Sequence, residues 1–185
     1  LKKDSSFYNG PIWYRGQSNK EYKLSPSFYR KATKVSEMTL IKKFKQNATL
    51  LMGNNSHEDF EWLFIMQHHG VPTRLLDWTE SSLIALYFAC CDNSDKDAAI
   101  WILLPSELNK HSGIDPEENF DIPGINELGN YNPKNYHADR TNIMAPAAAI
   151  TARNTSRMQA QQGAFTIFHK RKDPIEVIGD KKHIW

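Results

Sequence analysis

The order of apolar patterns along this chain predicts an α+β domain. Short β-rich runs at the start, middle and end bracket helical periodicities, with no regular βαβ alternation. Length points the same way, because 185 residues suit one domain (residues 1–185) with a proper core. The absence of an initiating Met before Leu1 reads as an excised piece of a longer chain.

Each element has its own signal. PIWYRGQ, residues 11–17, reads as a strand because Ile12, Trp13 and Tyr14 favour extended backbone and Gly16 ends the run. Around Pro26 the chain is extended. From Ser36, a helix cap, Met38, Ile41, Phe44, Ala48 and Leu51 recur at helical spacing. A polar break leads to a second helix carrying Phe60, Leu63, Phe64 and Gln67, closed by Gly70 and Pro72. A third helix is expected near Asp77, which with Glu80 resembles a capping box. Its Leu83, Leu86, Tyr87 and Cys90 form an expected buried stripe. AAIWILL, FTIFH and IEVIG read as three more strands. Residues 105–145, rich in Pro, Gly and Asn, are expected to form a long functional loop, followed by a short helix or turn with Arg153, Arg157 and Gln161 on one face.

Composition narrows the function. With 40% hydrophobic and 24% charged residues the chain reads as an ordinary soluble globular protein, and its longest apolar run is far shorter than a membrane span. Cys90 and Cys91 are neighbours on a helical pattern, read as small core or near-core residues of a reducing, cytoplasmic protein. Residues 1–45 hold eleven Lys and Arg against three Asp and Glu, and the rest 12 against 18. That asymmetry favours a phosphate-bearing partner, although Lys42, Lys43 and Lys45 also make an ordinary solvated helix face.

Several chemistries lack their signatures. His68 and His69 are adjacent and have no companion ligands at zinc spacing, so no metal is expected. Neither a Gly-x-Ser-x-Gly elbow nor a P-loop occurs. Polar residues at the ends of apolar elements remain. Arg15 follows a strand and precedes Gly16, where a backbone amide could approach a ligand. Arg74 and Asp77 flank Leu75-Leu76 before the expected helix start, a favourable place for an anion; an internal ion pair and cap is the competing reading. Arg157 and Gln161 share a face before FTIFH. Converging arginines at a crevice would bind pyrophosphate or carboxylate.

Trp13-Tyr14-Arg15-Gly16-Gln17, the segment from Tyr22 to Arg30, the block from Gln67 to Thr79 with the following ALYFA, and the run from Arg157 to Phe165 resemble the FRG domain, named for an aromatic-Arg-Gly motif. The layout is also similar to the ADP-ribosyltransferase superfamily, which implies a split, bent, mixed or antiparallel sheet with NAD in the crevice between its halves. On that resemblance Arg15 would clamp the phosphate or ribose, Gly16 would hydrogen-bond the base and Gln161 would orient the ribose. The stretch from Thr73 to Thr79 would line or brace the pocket with Arg74 and Asp77. Tyr14 or Trp78 would stack on the base, with Gln17, Arg157 and Gln162 as further contacts. Where the superfamily has a glutamate, this sequence has Gln161-Gln162, which can hydrogen-bond ribose but carries no charge; Glu176 is the nearest carboxylate substitute.

The expectation is therefore a domain binding NAD or an ADP-ribose-like nucleotide, with ADP-ribosyltransferase or NAD glycohydrolase activity as its enzymatic form. A non-catalytic module meeting a protein partner through 105–145 is the alternative. Nucleic-acid binding through the basic N-terminal quarter, with Tyr22, Phe28 and Tyr29, carries the least weight, because the pI is only about 8.5 and no nucleic-acid motif occurs.

Overall fold

A computed structural model describes residues 8–31, 35–52 (49–52 in backbone only), 58–92, 95–114, 122–139, 141–151 and 159–185. Its frame is a five-stranded antiparallel sheet in the order β3-β1-β2-β5-β4, formed by β1 (Trp13–Gln17), β2 (Leu75–Thr79), β3 (Ala99–Leu103), β4 (Ala147–Ala149) and β5 (Gly163–Ile167). The helices are α1 (Ser27–Arg30), α2 (Glu37–Met52), α3 (Asp59–His68), α4 (Ser82–Cys90), α5 (Pro105–His111) and α6 (Pro133–Ala138). None of the described helices is long and apolar enough to cross a membrane.

Strand alternation divides the core into two layers. Leu75, Ala147, Ala149 and Ile167 face one side, under Ile41 of α2 and Phe60, Leu63 and Met66 of α3. Leu76, Trp78, Ala148 and Ala164 face the other, with Trp13, Leu103, Leu108, Phe168 and Ile175. One edge of the sheet is closed by a side chain. Asn109 of α5, 1% exposed, accepts from the Ala148 amide at 2.7 Å and donates to its carbonyl at 3.1 Å, taking the place of a sixth strand.

The helix ends follow local chemistry. Glu58 and Glu61 form a capping box at the start of α3. Gly70 ends that helix at φ +72°, with the Gly70 amide on Gln67 O and the Val71 amide on Met66 O.

Several sequence expectations are corrected. Leu75–Thr79 is strand β2, and the next helix starts at Ser82, where Ser81 accepts from the Ile84 amide. Asp77 is therefore a strand residue paired with Phe165, not a helix cap. The stripe on α4 is exposed, with Leu83 at 75%, Leu86 at 47% and Tyr87 at 66%, and Cys90 and Cys91 are both exposed and free. Ala85 and Ala89 are buried in their place, because α4 lies so close over β1 that only small residues fit between them. Residues 105–145 contain α5, α6 and 3-10 turns at Ile125–Glu127 and Gly129–Tyr131. IEVIG is a 3-10 turn at Ile175–Val177, and the chain end pairs with β3 instead, exchanging hydrogen bonds between Ile102 and Trp185. Ala147–Ala149, expected in a short helix or turn, is β4.

Candidate functional site

Arg74 leaves the group of expected pocket residues first. It is 0% exposed and sits inside the fold, in the segment joining α3 to β2. Its Nε–H reaches both oxygens of the buried Glu37 at 2.8 Å, Nη1 donates to Phe168 O at 2.7 Å, and Nη2 to Tyr131 O at 2.7 Å. Its guanidinium lies 4.1 Å from the centroid of the Tyr136 ring. Burial by itself would raise the Glu37 carboxyl, but Arg74 and His137 hold it below its ordinary value. The ion-pair reading of Arg74 is right in kind and wrong in partner, because the acid is Glu37 and not Asp77. Thr73 is also fully buried; its hydroxyl donates to Gln67 Oε1 and accepts from the Leu75 amide at 3.2 Å. Neither Arg74 nor Thr73 lines the cavity that Arg15 lines.

Arg15 has a different environment. Among the described residues β1 and β2 are joined at one register pair, Tyr14↔Thr79, and the strands part beyond it. At that parting the Asp77 carbonyl has no partner on β1, and Arg15 Nη1 donates to it at 2.5 Å. Arg15 Nε is buried with no hydrogen-bond partner. Burial pushes the guanidinium below its ordinary value, Asp77 pulls it back up, and nearby Arg30 pushes it further down.

A cavity of about 380 Å³ opens here between β1, β2, β5 and the ends of α1, α3 and α4. It gathers Tyr14, Arg15, Gly16, Gln17, Asp77, Trp78, Thr79 and Gln161 from the expected set. Arg30, Tyr22, Phe64, Gln67, His68, Phe88, Cys91, Asp92 and Phe165 line it as well and were not placed there from sequence. The signal for part of this group was present: Phe64, Gln67 and His68 recur at three- and four-residue spacing on α3.

Several of these residues serve the fold and not the cavity. The Trp78 ring does not stack over the cavity; the residue is 3% exposed within the core, and Nε1 donates to Thr166 Oγ1 at 3.1 Å. Gln17 is buried, with Oε1 held by Trp101 Nε1 at 2.9 Å. Gly16 is small for the sake of α4, since an added Cβ would lie 1.8 Å from Ala85 O. Thr79 Oγ1 donates to Gln161 O at 2.7 Å and fixes the turn before β5. Gln162, exposed at φ +45°, lies outside the cavity lining. Glu176 also lies away from it and accepts from the Leu24 amide at 3.1 Å. Arg157 and Arg153 lie outside the described residues. The described residues contain no group of three or more His, Cys, Asp or Glu arranged to hold a metal ion.

Fold and site together define an α+β domain whose antiparallel sheet parts at a crevice lined by two arginines, two aspartates and several aromatic rings. Residues 10–98 match the family model of the FRG domain. That match covers β1, α1, α2, α3, β2 and α4, and so takes in most of the crevice wall. Comparison with curated proteins and with solved structures returned no match.

Proposed function

We propose that the crevice binds a nucleotide of the NAD or ADP-ribose class. The observation that carries this reading is Arg15, whose buried Nε has no partner and which lines an open hollow beside a second guanidinium, Arg30. Two guanidiniums at one cavity wall are suited to phosphate. Tyr14, Tyr22, Phe64, Phe88 and Phe165 supply flat apolar surface for a base. The hollow, about 380 Å³, lies within the range of about 300–1,000 Å³ usual for small-molecule sites.

NAD cleavage is the enzymatic form of this proposal. Loss of nicotinamide leaves a cationic sugar that a nearby carboxylate would stabilise, and Asp77 and Asp92 line the crevice where Gln161 brings no charge.

Calorimetry with ADP, ADP-ribose and NAD, with nicotinamide release followed in parallel, tests the proposal. Wild-type protein is expected to bind at least one of the three. Arg15→Met is expected to bind it about 10- to 100-fold more weakly, the range for a lost charged hydrogen bond. No heat from any of the three would overturn it.

A further inference from the structure

We infer that Asp77 is a ribose-recognition residue, so that the crevice selects ribonucleotides by holding the sugar's vicinal hydroxyls on the Asp77 carboxylate. The inference rests on the nucleotide reading above and names the part of the ligand that this residue takes.

Asp77 is out of character with its strand. Leu75, Leu76, Trp78 and Thr79 are all buried, and Asp77 between them is exposed and lines the cavity. Its carboxylate is thus open to the crevice while its strand neighbours are sealed in the core. Its position is fixed from behind. Gln67 Nε2 donates to Asp77 Oδ2 at 2.9 Å, and the hydroxyl of the fully buried Thr73 donates to Gln67 Oε1. The chain from Thr73 through Gln67 immobilises one carboxylate oxygen and leaves Oδ1 for a ligand. Gln67 is a positioning residue in this arrangement.

An ionised carboxylate can only accept hydrogen bonds. A ligand that displaces water from it must bring N–H or O–H donors or leave it unsatisfied. A cationic donor is disfavoured, because Arg15 is already electrostatically coupled to Asp77 and Arg30 stands beside Arg15. A neutral hydroxyl pair meets both conditions, and a vicinal diol spans a carboxylate well. Spacing supports the same assignment. The Arg15 guanidinium touches the main-chain carbonyl of Asp77 at 2.5 Å. An anion on Arg15 and a hydroxyl on Asp77 therefore belong to adjacent groups of one ligand, as phosphate and ribose do.

Calorimetry with ADP and 2′-deoxy-ADP tests this on wild-type protein, Asp77→Asn and Gln67→Met, with melting temperatures confirming that each variant is folded. Wild-type protein is expected to bind 2′-deoxy-ADP about 10- to 100-fold more weakly than ADP. Asp77→Asn is expected to bring the two within about threefold, and Gln67→Met to give an intermediate ratio. Equal binding of the two probes by wild-type protein, or full discrimination by Asp77→Asn, would overturn the inference and leave the nucleotide reading standing. A preference for GDP over ADP with no 2′-deoxy penalty would assign the carboxylate to the base and overturn it too. No heat from any nucleotide would remove both.

Discussion

Gly16→Ala adds one methyl group at the place where β1 and α4 are closest. The new Cβ would stand 1.8 Å from Ala85 O, 2.6 Å from Ala89 N and 2.8 Å from Ala85 C. All three are main-chain atoms of α4, so no side chain can rotate out of the way. Restoring ordinary contact requires the helix to retreat by roughly 1.5 Å. Ala85 and Ala89, 0% and 4% exposed, would then lose their packing against β1. Overpacking a core costs about 1–3 kcal/mol, and moving a helix backbone belongs at or above the top of that range. At about 3 kcal/mol, a chain of 185 residues should melt about 6–12 °C lower. Thermal unfolding followed by circular dichroism measures this directly. Gly129→Ala is the control, because nothing lies within 4 Å of the Cβ it would add; it should stay within about 0.5 kcal/mol of wild type. A Gly16→Ala protein that melts with wild type yet loses ADP binding would refute the packing argument and return Gly16 to the role of a ligand-approach glycine.

Two further outcomes follow from the buried polar network. Arg74→Met leaves the buried Glu37 carboxylate with His137 in place of its guanidinium partner and should cost about 3–5 kcal/mol. The double variant Glu37→Met/Arg74→Met should cost less than Arg74→Met alone, and a urea titration showing the reverse would refute the ion-pair account. His169 is 1% exposed, its Nδ1 accepts from the Met144 amide at 3.1 Å, and burial with the nearby Arg74 and Lys170 charges lowers it from 6.5 to about 4. Because the folded value is depressed, its contribution is complete above pH 6.5 and is lost as pH falls towards 4. The loss should reach about 3 kcal/mol by urea unfolding, and stability that stays flat across that window would contradict it.

How legible each part was depended on the range of the force that fixes it. β1, α2, α3, β3 and β5 could be read from the sequence because their apolar spacing and punctuation are local: Ser36, Gly70 and Pro72 act on the residues next to them. β2 could not, because Asp77 and Glu80 imitate a helix cap; the segment is a strand only because Gly163–Ile167 lies alongside it. The exposed stripe on α4 misled for a related reason. Three large apolar residues outweigh two alanines on any local scale, yet the close approach of β1 admits the alanines alone.

Sequence by itself determined that the chain is α+β, that aromatic and arginine residues recur at element ends, and that Arg15, Asp77 and Gln161 were worth following. It put both Arg15 and Arg74 in the expected pocket, with an internal ion pair as the competing reading for Arg74. Both follow apolar or extended runs and both carry the same guanidinium, so local sequence could not settle which one is sealed inside the fold. Only the tertiary structure did so, by placing Glu37 and two carbonyls around Arg74 and leaving the Nε of Arg15 unpartnered beside an open crevice. The physical reason is that a charge's role is set by what surrounds it within a few ångströms, and those neighbours come from distant parts of the chain.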